Sequence, residues 1–309
     1  MRRISLLLSW WLLPLLAIVV VSCSRVKGEV EFTEAISKVI VDAPGKVGVA
    51  VILDNVDTLT VNNDTTHYPL MSVFKLHQAV ALGRVLDRLD ADFDSVIAVR
   101  NSELNPETWS PLFRERPTGD FELSLAAMME YLLLYSDNNV SNILFNRLCG
   151  VERTDSIIRF LGLPPDFRLR HTEADMQSDH AKAYDNWSTP LAAAALINRV
   201  FTDSCMISSG KQDFIKSLLE RCETGRGRIP AAFAGNDGVR IAHRTGSGYV
   251  NERGEIVAVN DVAYVMLPTG HSYAIAVLVK DFSGSQEEAE KLIADISSAV
   301  YAYVKSCRE

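Results

Sequence analysis

Four stretches of the chain carry residue types able to do acyl-transfer chemistry. The first is Met71-Ser72-Val73-Phe74-Lys75-Leu76, which follows an extended Tyr68-Pro69-Leu70 approach and opens an apolar-periodic run to about Leu86. Pro69 keeps the preceding backbone out of helix, so the spacing predicts a helix beginning near Ser72. Residues three apart share a helix face, which brings the Ser72 hydroxyl to the Lys75 amine. The positive field of a helix N-terminus disfavours a protonated lysine and favours negative charge growing at the serine. A serine beside an amine able to lose its proton is an activated nucleophile. Ser-x-x-Lys also occurs at Ser24–Lys27 and Ser208–Lys211, but neither opens a long apolar helix.

The second stretch is Ser136-Asp137-Asn138, directly before a predicted helix. Asp137 reads as the N-cap, which leaves Ser136 and Asn138 as polar neighbours. The third is His243-Arg244-Thr245-Gly246-Ser247-Gly248 at the end of a strand. Its structural reading is a strand edge with a glycine bulge. Its chemical reading is a cation and hydroxyls beside a backbone N–H able to receive an oxyanion. The fourth is Glu173, within a segment rich in Asp, His and Pro between 162 and 189. Structureless loops of that length are usually functional or disordered.

These residues need elements to position them, and 309 residues at 48% hydrophobic and 23% charged suffice for one large domain or two interleaved ones. The net charge is −8 with no long basic run, which argues against nucleic acid and against an anionic lipid surface bound by charge alone. Helical spacing of Phe32, Ala35, Ile36, Val39 and Ile40 predicts a helix over 31–43. Val47, Val49, Val51 and Leu53 alternate as a strand, and Thr58–Val61 returns after an Asp54-Asn55 turn. Helices are predicted over 72–87, 124–135, 138–149, 153–161, 190–202 and 210–221, with Thr189 capping the fifth and Pro190 in its first turn. Strands follow at 239–245, 257–267 and 272–282, with a turn at 268–271, and a closing helix at 287–305. This order is not βαβ alternation. It predicts an α+β protein: a five-stranded antiparallel sheet flanked by helices, drawn from 30–67 and 222–309, with an all-helical domain at 68–221 inserted between.

Residues 1–23 read as an export segment, with Arg2 and Arg3 ahead of an apolar run from Leu6 to Val21. The six histidines show no His-Glu-x-x-His spacing. Beyond Cys23, the four cysteines (Cys149, Cys205, Cys222, Cys307) show no Cys-x-x-Cys, so neither a zinc knuckle nor a redox pair is indicated. No metal or cofactor is implied, and no disulfide can be assigned.

Ser-x-x-Lys on a helix, Ser-Asp-Asn, a loop Glu and a basic-Thr-Gly strand, in this order, resemble the class A serine β-lactamases, for which this motif set is the standard general example. The resemblance spans essentially the whole mature chain, including Trp109-Ser110-Pro111 and Thr189-Pro190. It is nearest the cephalosporinase-leaning, extended-spectrum branch through Thr172-Glu173-Ala174-Asp175-Met176. It implies that Ser72 attacks the lactam carbonyl and that Lys75 takes its proton, directly or in concert with Glu173 and water. Ser136 would pass a proton to the departing nitrogen. Asn138 would hold Lys75 and the substrate amide. The Ser72 and Ser247 N–H groups would form the oxyanion hole, and Glu173 would activate the deacylating water. Trp109 and Thr245 fall at substrate-binding positions. Two residues depart from the usual pattern. Arg244 stands where Lys is common and is expected to bind the substrate carboxylate while tuning Ser136 differently, since its fork is planar where Lys is a point charge. Gln177 stands where Asn often holds the hydrolytic water. Arg228 is a candidate second carboxylate ligand, a solvated loop arginine being the alternative. Val20-Val21-Ser22-Cys23-Ser24 resembles a bacterial lipoprotein box with Cys23 lipidated, an uncleaved membrane anchor being the alternative. The expected protein is a periplasmic, membrane-anchored monomer acting on β-lactams. The enzyme alternative is a D-alanyl-D-alanine peptidase, which shares the first three motifs; a non-catalytic binder of cell-wall fragments or drug is a reading of another class.

Overall fold

The computed structural model describes residues 28–63 and 66–308. The export segment, Cys23 and the Ser24–Lys27 pair lie outside the described residues. In chain order, helix α1 (28–40) precedes strands β1 (Lys46–Leu53), β2 (Asp57–Val61) and β3 (Tyr68–Pro69). A 3-10 turn at Met71–Val73 leads into α2 (Phe74–Arg88), followed by β4 (Val96–Val99), α3 (Pro111–Glu115) and β5 (Phe121–Ser124). Then come α4 (Leu125–Leu134), α5 (Asn138–Arg147), α6 (Val151–Phe160), β6 (Phe167–Arg168), α7 (Glu173–Ser178) and β7 (Trp187–Ser188). The chain closes with α8 (Pro190–Thr202), α9 (Ser209–Glu220), β8 (Arg240–Ser247), β9 (Ile256–Met266), β10 (Ser272–Phe282) and α10 (Gln286–Arg308).

The main sheet has the order β2-β1-β10-β9-β8 and is antiparallel throughout, so both ends of the chain build it. The alternation read in β1 decides which residue faces which layer. Val47, Val49, Val51 and Leu53 join Phe32 and Ile36 of α1 and Ile293, Ile296 and Val300 of α10 in one core. Ala50 and Ile52 face the other core, with the α8 alanines Ala192–Ala195 and most of α2. A sheet covered on both faces reads as continuously apolar, as β9 and β10 do. On the α8 side the fit is close. A Cβ at Gly48 would lie 2.6 Å from the Pro190 ring and 2.7 Å from that of Tyr68.

Helix α2 is buried on almost every side from Phe74 to Leu86, which makes it a core helix rather than an amphipathic surface one. Its polar residues must therefore find partners inside. Gln78 does so with Ser141 of α5, donating to its carbonyl at 2.9 Å and accepting from its hydroxyl at 2.9 Å. The predicted caps form: Asp137 accepts from the Val140 N–H and Thr189 from the Ala192 N–H.

Two expectations change. The region between β2 and β8 is not purely helical. It also carries a two-stranded β4–β5 sheet and a three-stranded β3-β7-β6 sheet, whose two- to four-residue strands are too short to show a period. The 162–189 segment is not structureless. It holds β6, α7, a 3-10 turn at His180–Asp185 and β7. The wholly buried Asn186 side chain ties it together, accepting from the Arg170 and His171 N–H groups at 2.7 and 3.0 Å and donating to the His171 carbonyl at 2.8 Å.

Candidate active site

Ser72 lies in the 3-10 turn, two residues ahead of α2, rather than on the first turn of the α-helix as its spacing predicts. The residue before it, Met71, has φ 45°, and Ser136 across the cleft has φ 63°. Non-glycine residues in that region cost on the order of 1–3 kcal/mol each and persist where the surroundings over-determine them. Those surroundings are visible. Gly246 of β8 lies against the turn, where a Cβ would sit 2.4 Å from the Leu70 carbonyl oxygen. Gly246 pairs in register with Asn260, so the glycine permits close approach and is not the expected bulge. Asn260 of β9, wholly buried, donates to the Pro69 and Leu70 carbonyls at 2.7 and 3.2 Å and accepts from the Val279 N–H at 3.1 Å. It fastens the nucleophile turn to the sheet. Asn260→Ala strands several buried partners at about 1–3 kcal/mol each. The expected result is a melting temperature lower by roughly 5–10 °C, read by calorimetry, together with reduced turnover.

Lys75 is the hub. Its Nζ lies 3.2 Å from Ser72 Oγ, 3.2 Å from Ser136 Oγ, 2.9 Å from the Ser136 carbonyl, 2.6 Å from Asn138 Oδ1 and 2.8 Å from Glu173 Oε1. Five acceptors compete for at most three N–H bonds, so the proton distribution here can change without movement of the backbone. The Ser72 hydroxyl in turn donates to Glu173 Oε1 at 3.3 Å. Glu173 is the first residue of α7, which starts with a capping box: Thr172 accepts from the Asp175 N–H, and Asp175 accepts from that of Thr172. Asp137 holds the opposite wall, accepting from Ser110 Oγ, the Leu112 N–H and the Val140 N–H at 2.8–3.0 Å.

Burial pushes Lys75 down to about 8. The Glu173 charge opposes that shift and the Arg244 charge adds to it. An amine held near 8 exchanges its proton close to neutral pH, as a group shuttling protons to and from a serine requires. The cleft above these groups is about 390 Å³ and is lined by Ser72, Ser136, Asn138, Glu173, Thr245 and Ser247 among others.

Comparison with known proteins agrees with this geometry. Residues 31–304 match the model of the β-lactamase enzyme family. A β-lactamase of Phocaeicola vulgatus is 45% identical over 270 residues, covering 87% of this chain and 84% of that protein. The chain belongs to the class A β-lactamases. The β-lactamase VEB-1 of Pseudomonas aeruginosa is 32% identical over 84% of this chain and 85% of its own. Among solved structures, the TLA-3 extended-spectrum β-lactamase superposes with a TM-score of 0.84 at 34% identity, covering 88% of this chain and 98% of its own. A representative class A β-lactamase from Bacteroides cellulosilyticus gives 0.83 at 30% identity, over 90% and 99%.

In this class A β-lactamase the remaining candidates separate. Trp109, Thr245, Ser247 and Arg228 line the cleft with the groups around Lys75. Arg228 is buried rather than a solvated loop residue. It donates to Ser247 Oγ at 2.5 Å and to the Gly246 and Asn260 carbonyls at 3.0 and 2.7 Å, with Glu290 beside it at 3.1 Å. Arg244 is not where a substrate carboxylate could pair with it. It is wholly buried beneath the floor, donating to the Ser72 carbonyl at 3.0 Å, the Leu133 carbonyl at 3.3 Å and Ser136 Oγ at 2.7 Å. Gln177 shares the Glu173 face of α7, four residues on, but it does not line the cleft; its Oε1 is occupied in accepting from Asn105 Nδ2 at 3.0 Å. Ser208 and Lys211 form a surface contact tied to Asp87, far from this chemistry.

Sequence reasoning missed Thr224, Gly225 and Tyr249, which line the cleft, and Asn260, which braces it. Only α7 left a legible signal, the Thr172-x-x-Asp175 spacing of a capping box.

Proposed function

We propose that Ser72 is the nucleophile of this β-lactamase, Lys75 and Glu173 the proton-handling pair around it, and Ser136 the donor to the departing lactam nitrogen. The observation that carries the reading is that Ser72 Oγ touches both Lys75 Nζ and Glu173 Oε1, while Ser136 Oγ contacts the same amine at 3.2 Å. Acylation removes the Ser72 proton into this network, and the Lys75–Ser136 contact returns a proton to the nitrogen as the ring opens. The N–H groups of Ser72 and Ser247 receive the oxyanion; such a donor is worth on the order of 10²–10³-fold in rate. Glu173, at hydrogen-bond reach of the acylated oxygen, then activates the hydrolytic water. A carboxylate at that distance is what separates rapid turnover from the trapped acyl-enzyme of a cell-wall peptidase.

Asn138 holds Lys75 through Oδ1 and is itself held by Thr108, to whose Oγ1 its Nδ2 donates at 2.9 Å. Arg228, Thr245 and Ser247 take the substrate carboxylate, and Trp109 walls the entrance. Arg244 works from below by fixing Ser136 and the Ser72 carbonyl. Lysine is a point charge that cannot span three divergent acceptors. Arg244→Lys is therefore expected to lower kcat about tenfold, the scale of one charge-assisted hydrogen bond, with KM nearly unchanged on a penicillin and a cephalosporin. A change confined to KM would place the guanidinium on the substrate instead.

The cephalosporinase-leaning, extended-spectrum reading is supported by the names of the TLA-3 relative and of the extended-spectrum β-lactamase PER-1 from Pseudomonas aeruginosa, 26% identical over 271 residues. Turnover of nitrocefin, a penicillin and an oxyimino cephalosporin by the purified protein tests both the activity and the preference. Export with lipidation at Cys23 rests on the sequence of the first 24 residues. A membrane-extracted chain whose intact mass still includes Met1 would exclude that processing.

A further inference from the structure

Arg244 heads the fully buried side chains by volume, yet its three acceptors at 2.7–3.3 Å, two backbone carbonyls and the Ser136 hydroxyl, are all neutral. A guanidinium does not give up its proton in a protein, and a buried charge left unpaired is strongly unfavourable. Beside it lies a buried row that the reaction above leaves unused. Cys222 Sγ is 3.4 Å from Thr224 Oγ1 and 3.9 Å from the Thr224 carbonyl, and the charges of His243 and Arg244 act on it. His243 Nδ1 lies 3.0 and 3.2 Å from the two oxygens of Asp261, and Asp261 also accepts from the Ile229 N–H at 3.1 Å. With Nδ1 committed to Asp261, the other ring nitrogen is free to face the sulfur.

We propose that Cys222 is a thiolate and a positioning residue: the buried counter-ion that holds the Arg244 guanidinium against Ser136, with its proton resting on His243 and that imidazolium balanced by Asp261. The charges facing the sulfur are His243 and Arg244 from β8. Asp261 of β9 acts through His243 and Arg244, and Lys75 and Glu173 act through Arg244. Burial alone would push the Cys222 thiol up. The His243 hydrogen bond and charge, then Arg244 and Thr224, outweigh it and bring the thiol down to about 7. Burial would likewise push His243 down, but Asp261 and then Cys222 carry it up to about 10. For Arg244, burial disfavours the charge, and the influence opposing burial most strongly is the Cys222 charge, ahead of Glu173. The sulfur is also linked to the cleft, since Thr224 Oγ1 is 2.6 Å from Thr245 Oγ1.

The experiment has a spectroscopic arm and a kinetic arm. Thiolate absorbance at 240 nm is titrated in the folded full chain, wild type against Cys222→Ser. The expected difference is one thiolate with a midpoint near 7, well below the ordinary cysteine value of about 8.5. In the kinetic arm Cys222→Ser, which keeps size but removes the charge, lowers kcat about tenfold with little change in KM. Cys222→Asp, which restores an anion, recovers most of that loss; a packing role would favour serine over aspartate. If the serine variant does not fold, the wild-type titration alone decides. No thiolate appearing below about pH 8 overturns the proposal, as does a kcat for Cys222→Ser equal to wild type. Only the kinetic arm rests on the reading of Ser136 as proton donor. Failure of that reading would show separately, as full kcat in Ser136→Ala with the absorbance step intact.

Discussion

Mixed with a chromogenic cephalosporin, the Glu173→Gln variant should release about one product equivalent per enzyme in a burst and then slow on the order of 10²–10⁴-fold, the usual worth of a general base. Its carboxylate is the group placed to activate water over the acylated Ser72, whose hydroxyl it contacts at 3.3 Å. Intact-mass measurement should find the acyl adduct in nearly every molecule during the slow phase. A variant that turns over at the wild-type steady rate would remove Glu173 from the deacylation step. The pH dependence of the burst carries a second sign. Lys75 sits near 8 because burial lowers it while the Glu173 charge and hydrogen bond hold it up. Glutamine removes that support, so the rising limb of the burst rate should move to lower pH than in the wild type. A limb that stays in place would mean the amine is not the group whose deprotonation limits acylation.

Lys75→Met should lose on the order of 10²–10⁴-fold in the acylation rate itself, with no burst at any pH, because the side chain that replaces the amine cannot accept a proton. Methionine approximates the lysine stem in volume, so packing in α2 survives. The electrostatics do not, for Lys75 is wholly buried and is the cation paired with Glu173 at 2.8 Å. Breaking a buried pair by removing one partner is worth roughly 3–5 kcal/mol. Acylation followed by quenched-flow mass measurement separates this variant from Glu173→Gln. The first should stay unmodified over seconds, and the second should be fully acylated. Rapid acylation of Lys75→Met would assign the first proton transfer to Glu173 alone.

Sequence alone determined the order of the chemical groups and most of the elements that carry them. Ser72 and Lys75 three apart, the Asp137 and Thr189 caps and the β1 alternation are consequences of local geometry, and local geometry repeats with a period a reader can count. Even so, the spacing starts the helix two residues early, at Ser72, because Met71–Val73 winds as a 3-10 turn with Met71 at positive φ, a conformation imposed by β8 and Asn260 pressing on it. Tertiary structure alone decided the distances. Glu173 is 101 positions from Ser72 in the chain, and Arg244 is 172. Whether such groups touch depends on how the sheet and helices pack. Packing also sorted two arginines that look interchangeable on paper. Arg228 faces the cleft, whereas Arg244, fixed by strand parity and by the Leu133 and Ser72 carbonyls, lies under the floor. The same burial moved Lys75 toward neutrality and set Cys222 among His243, Arg244 and Asp261. A change of solvent from water to protein interior leaves no mark in the order of residues, and much of the chemistry of this site comes from it.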